Sequence, residues 1–126
     1  EVVLGFGPRR RCRHSRSFWL GTVVTMRVRR LSDGVRLVEG GPVPPGSSGI
    51  TLGSWIFVRE GHADRQLLID HERVHVIQWR MYGKVGFIAR YVGAYVKWRL
   101  RGYGHKGAYR RIPFEIEADW RARRGE

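Results

Sequence analysis

Alternation between apolar and polar positions comes first along the chain. From Trp19 to Val28, β-branched and apolar residues dominate. Val24, Met26 and Val28 alternate there with Thr25, Arg27 and Arg29, which is the two-residue period of a strand. Ser32-Asp33-Gly34 has the composition of a turn, and Val35 to Val38 is the predicted return strand. Pro42, Pro44, Pro45, Gly46 and Gly49 punctuate a loop over residues 40–49. Residues 50–58 (ITLGSWIFV) predict one further strand, with Gly53 at a bulge or a close approach. The apolar period then lengthens. Leu67, Leu68, Val74, Ile77 and Met81 predict a helix over residues 64–81, with Asp64 as its cap and Gly83 as its stop. Val85, Ile88, Val92, Tyr95 and Val96 predict the apolar face of a second helix over residues 85–100. A Gly-, Tyr- and His-rich loop over 102–111 follows. Pro113 then opens a third helix at its first turn, where a missing N–H is harmless, and that helix runs to about Ala122.

Strands followed by helices point to an α+β fold: a small, mainly antiparallel sheet packed against the first helix and two further helices. The 126 residues suit one domain. Residues 1–18, with Gly5, Gly7, Pro8 and five arginines from Arg9 to Arg16, read as a basic flexible arm, and residues 19–126 as the single domain. Charge sharpens the picture. The chain carries 24 Lys+Arg against 11 Asp+Glu, a net +13, which attracts polyanions and acidic substrates over long range. Because 21 of the 24 cations are Arg, codon composition alone could account for the bias. Nucleic-acid binding is therefore a rival reading and not the favoured one. Cys12 is the one cysteine, which excludes an intrachain disulfide and a Cys-based zinc finger. Residues 85–100 are broken by Arg90, Lys97 and Arg99 and are too short to span a bilayer. No signal peptide is visible, and the chain starts at Glu1, so a preceding segment is left open. On these grounds a cytoplasmic location is weakly preferred, and the oligomeric state is undetermined.

The chemistry concentrates in His71-Glu72-Arg73-Val74-His75, an H-E-x-x-H within the first predicted helix. Residues four apart on a helix share a face, so both imidazoles can reach one ion. Glu72 lies about 100° round from His71, beside the ion and not on it. There it can take a proton from an activated water and pass it to a leaving amine. The pentapeptide alone also fits a helix with two ordinary histidines and a solvated Glu. Its flanks, Leu67, Leu68 and Ile69 before and Val76 and Ile77 after, supply the dry wall that a metal site needs. A third ligand and an open position are still required. Glu115 and Glu117 are the candidates, in one of the few acidic stretches of a basic chain. Glu115 and Asp119 share a helix face, whereas Glu117 points about 200° away from Glu115. Asp119 is placed to accept the ring N–H of a ligand histidine.

The H-E-x-x-H, the downstream E-x-x-x-D and the segment Ile112-Pro113-Phe114-Glu115-Ile116-Glu117-Ala118-Asp119 together resemble the gluzincin zinc metallopeptidases. They most resemble the minimal single-domain members, the minigluzincins. The resemblance covers roughly residues 50–120. It implies one zinc ion held by His71, His75 and Glu115, with Glu72 as general base and Asp119 supporting a ligand. It also implies that residues 50–58 form an upper edge strand that pairs with an extended peptide or protein substrate. Ile112 departs from the pattern, since a polar residue such as Asn is expected before Pro113. The peptide carbonyl also needs an oxyanion stabiliser. Tyr103, His105 and Tyr109 precede the glutamate helix, and Tyr109 is the preferred choice. Gln78 reads as a plain hydrogen bonder on the helix face, and Arg73 and Arg80 as a solvated face. The resulting expectation is zinc-dependent peptide hydrolysis. Its rivals are a metal-stabilised scaffold without turnover and a basic nucleic-acid-binding module.

Overall fold

The computed structural model describes residues 25–126. The basic arm (1–18) and the start of the predicted strand from Trp19 lie outside the described residues. The elements are β1 (Arg27–Arg30), a 3-10 turn (Ser32–Gly34), β2 (Arg36–Glu39), β3 (Gly49–Leu52), β4 (Trp55–Val58), α1 (Gln66–Leu100), α2 (His105–Tyr109) and α3 (Pro113–Arg124). The sheet order is β1-β2-β4-β3. The β1–β2 and β3–β4 pairs are antiparallel and β2–β4 is parallel, so the sheet is mainly antiparallel and the fold is α+β.

Residues 50–58 do not form the single strand that their apolar run predicts. Leu52 pairs with Trp55, so Gly53 and Ser54 form a two-residue hairpin turn, and Gly53 takes the positive φ of 62° that such a turn requires. The consequence is topological. β4 is interior, paired on both sides, so within residues 50–58 only the β3 part lies at an edge of the sheet among the described residues.

Two cores stabilise the chain. In the first, Val35, Leu37, Ile56 and Val58 of the sheet pack against Ile69 and Val76 of α1. Burying side chains of this kind contributes about 1.5–3 kcal/mol each. In the second, Phe87 of α1 packs with Ile112 and Phe114 at the start of α3, flanked by Trp79, Tyr91 and Ala94. Ile112 is 1% exposed and leads into α3 with extended backbone and no side-chain cap, so the position that departs from the gluzincin pattern is an apolar anchor here.

The helix boundaries shift for local reasons. α1 starts at Gln66, after Arg65 in extended conformation, and no side chain caps it; Asp64 does not do so. Gly83 interrupts it with φ 69° and ψ 171°, a conformation that is essentially restricted to glycine, so the two predicted helices are two limbs of one element. The faces are also rotated from expectation. Leu67, Ile77 and Met81 are exposed in the first limb, because its buried side is given to Ile69, Val74 and Val76 together with Glu72, His75 and Gln78. In the second limb the core side is Phe87, while Val85, Ile88, Val92 and Val96 face outward. Arg73 and Arg80 are not simply solvated. Their guanidinium groups donate to Ser32 Oγ (2.6 Å) and to the Asp33 carbonyl (2.7 Å), fixing the 3-10 turn against α1. α2 occupies part of the predicted 102–111 loop.

Candidate metal centre

The first limb of α1 lies between the sheet and α3, and its buried face carries the polar residues of the motif. His71 and His75, one turn apart, bring their Nε2 atoms to 3.1 Å from each other. Glu115 meets them from α3. Its Oε2 is 3.0 Å from His71 Nε2 and its Oε1 is 3.2 Å from His75 Nε2. One donor atom from each of the three residues lies within 4.8 Å of the others, so the group can hold a metal ion. Glu115 occupies the first turn of α3, where the helix N-terminus favours a carboxylate.

The outer contacts determine which ring nitrogens face inward. His71 Nδ1 lies 2.9 Å from Asp119 Oδ1, an acceptor, so Nδ1 carries the hydrogen and donates. His75 Nδ1 donates to Gln78 Oε1 at 2.8 Å. The Gln78 amide cannot turn round, because its nitrogen donates to the Phe114 carbonyl (3.1 Å) and to Glu117 Oε2 (2.9 Å). Both Nε2 atoms therefore present lone pairs to each other and to the Glu115 carboxylate. Three electron-pair donors converging in a largely buried space repel unless a cation lies among them. This donor set, two imidazoles and one carboxylate, fits zinc.

The charges respond accordingly. Burial pulls the His71 imidazole down, but its hydrogen bond with Glu115 and the charges of Glu115, Glu72 and Asp119 outweigh it, and its pKa is raised. A proton on His71 is the smallest cation that relieves the repulsion. Burial pushes Glu115 up, yet the His71 and His75 imidazoles that face it and the Tyr91 hydroxyl more than reverse this and hold it well below the usual carboxylate range. Tyr91 donates to Glu115 Oε1 at 2.6 Å and Tyr109 to Oε2 at 2.7 Å. Burial, and then the neighbouring Glu115 charge, raise both phenols, so they remain protonated donors.

Glu72 stands beside this group. Thr51 of β3 reaches it from the sheet edge, with its hydroxyl 2.7 Å from Oε2 and 3.0 Å from the Glu72 carbonyl. Burial raises the Glu72 pKa, and the Thr51 bond and the two histidines offset only part of that rise. Gly49 leaves room for the carboxylate, since a Cβ there would lie 3.0 Å from Glu72 Oε1.

The site opens on both sides. One cavity of about 480 Å³ is bordered by Arg65, Lys106, Arg110 and Arg123 together with His71 and Asp119. A second, also about 480 Å³, is lined by Leu52, Trp79, Phe87, Ile88 and Val92. Glu72, His105 and Tyr109 border both.

The structure thus brings together His71, Glu72, His75, Glu115, Asp119 and Tyr109. Tyr109 bonds Glu115 and does not stand free. His105 is outside the donor cluster, with Nδ1 2.9 Å from the Tyr95 hydroxyl, and Tyr103 packs against Trp98. Glu117 is not among the donors; it accepts from Gln78. Sequence reasoning missed Thr51, Gln78, Tyr91 and Gly49. Of these, Gln78 alone had a usable signal, since it lies one turn beyond His75 on the same helix. The chain matches no family model, no curated protein and no solved structure.

Proposed function

We propose that this chain is a zinc-dependent peptide hydrolase of gluzincin type, with one zinc held by His71, His75 and Glu115. The observation that carries this reading is the convergence of three lone-pair donors, their outward atoms tied by Asp119 and Gln78, with Glu72 held beside them by Thr51. A bound zinc supplies a Lewis acid that polarises a carbonyl and makes water acidic at neutral pH. The rest belongs to the chain. The raised pKa of Glu72 suits a group that takes a proton from the attacking water and returns it to the departing amine. Thr51 engages Oε2, which leaves Oε1 for the proton among the described residues. Tyr109 borders both cavities; to donate to the carbonyl oxygen as charge develops there, its hydroxyl would turn from Glu115 Oε2 to the substrate. An extended substrate adds to the edge of β3, residues 49–52, and not along the whole of 50–58.

A metal-stabilised scaffold is the second reading, because the donors bridge α1 and α3 and an ion there would tie the two helices together. Glu72→Gln separates the two. The zinc-loaded variant and the zinc-loaded wild type are compared on a peptide library. Hydrolysis by wild type, with loss in the variant at unchanged zinc content, supports the peptidase. Equal zinc and no hydrolysis by either protein supports the scaffold.

A further inference from the structure

The limb of α1 after Gly83 is covered on one side only. Phe87 faces the second core, with Tyr91 and Ala94 packed beside it. On the other side Val85 (80% exposed), Ile88 (42%), Val92 (50%), Val96 (45%) and Leu100 (83%) lie open. At helical spacing these five fall within an arc of about 120°. No described residue covers the stripe. We propose that it is a docking face for an anionic lipid surface, on which this limb lies with its aliphatic side chains at the boundary between headgroups and acyl chains.

Charge selects this occupant. Lys84, Arg90, Lys97, Arg99 and Arg101 accompany the stripe, and the sequence holds no Asp or Glu between Glu72 and Glu115. Arg99 falls inside the arc near the end of the limb, where its long stem can reach along apolar surface to the headgroups. A second copy of this chain would bring the same cations against these. Residues 1–16 would bring Arg9, Arg10, Arg11, Arg13 and Arg16 with a single acid, Glu1, and a cover by the uncharged residues 17–24 would show as a wild type that ignores the vesicles. A nucleic acid answers the charge but offers nothing to five exposed aliphatic side chains. An anionic bilayer surface answers both. No helix among the described residues is long and apolar enough to cross a membrane, so the contact is along the surface.

The placement bears on the site. Ile88 and Val92 also line the apolar cavity beside Glu72, so docking brings that mouth of the cleft to the lipid surface. The docking face itself does not depend on the zinc reading. Its test therefore uses Val85 and Val96, which do not line the cavity.

The full chain is sedimented with phosphatidylcholine vesicles, with and without added phosphatidylglycerol, over a range of salt. Wild type is expected to pellet with the anionic vesicles and to retain part of its binding at high salt. Val85→Asp/Val96→Asp is expected to weaken binding by about tenfold or more, with helical circular dichroism unchanged. Val85→Ser/Val96→Ser covers the case in which the acidic pair fails to fold, with a smaller loss in the same direction. Wild type that stays in the supernatant with anionic vesicles overturns the proposal. So does vesicle binding that folded stripe variants leave unchanged, or a stable dimer in solution that the same substitutions disperse.

Discussion

The two limbs of α1 carry similar apolar periodicity and do opposite things with it. Before Gly83, the helix is enclosed by the sheet and α3, and much of its buried surface is polar: Glu72, His75 and Gln78 are 5%, 5% and 1% exposed. After Gly83, one aromatic side is packed and the aliphatic side is open. A burial pattern with polar groups inside and aliphatic groups outside costs stability unless each set has a partner. The inner polar set has hydrogen bonds for its outward atoms, and its inward atoms can hold a cation. The outer aliphatic set is exposed, and on our proposal it meets a lipid surface. The comparison teaches that inverted burial on one helix singles out its candidate sites more clearly than periodicity does.

The sharpest way to break that comparison is at Glu72. Glu72→Gln is expected to lower peptide hydrolysis by roughly 10²–10⁴-fold, the range for loss of a general base, with zinc content unchanged. A milder test addresses the buried amide. Gln78→Leu leaves His75 Nδ1 without its acceptor and frees Glu117. Zinc affinity, measured by chelator competition, is expected to fall about 10–100-fold. The hinge between the limbs comes next. Gly83→Ala forces a side chain into a conformation essentially reserved for glycine and is expected to cost about 1–3 kcal/mol in chemical denaturation.

The smallest effect is in pH. His71 has a raised pKa in the folded, metal-free chain, so its protonated form contributes stability at low pH that is lost as pH rises through that raised value. Above it, the three lone-pair donors face one another unless metal is present. The rise in Tm on adding zinc should therefore be larger at pH 8 than at pH 6. An equal or smaller rise at the higher pH would contradict the assigned ring orientations.

Much of this arrangement was legible in the chain itself. The α+β order, the two limbs divided at Gly83, Pro113 at the start of the last helix, and the pairing of His71 with His75 follow from local spacing and composition, which left Glu115 and Glu117 both open as the third ligand until the resemblance to gluzincins pointed to Glu115. The misreadings share a cause. Residues 50–58 read as one strand because Gly53-Ser54 fits a bulge as well as a two-residue turn, and only pairing decides between them. The helix faces were rotated because periodicity reports which residues are apolar, whereas burial depends on what packs alongside. Thr51, Tyr91 and Gly49 reach the site across tertiary contacts, and no spacing along the chain announces such contacts.

The central claim is most directly tested by elemental analysis of the purified protein beside Glu115→Ala and Glu117→Ala. The proposed zinc centre predicts about one zinc per chain in the wild type, lost in Glu115→Ala and retained in Glu117→Ala, whose carboxylate accepts from Gln78 and pairs with Arg121 outside the donor group. A wild type that holds no zinc after incubation with it, or a Glu115→Ala protein that holds as much as the wild type, would contradict the account.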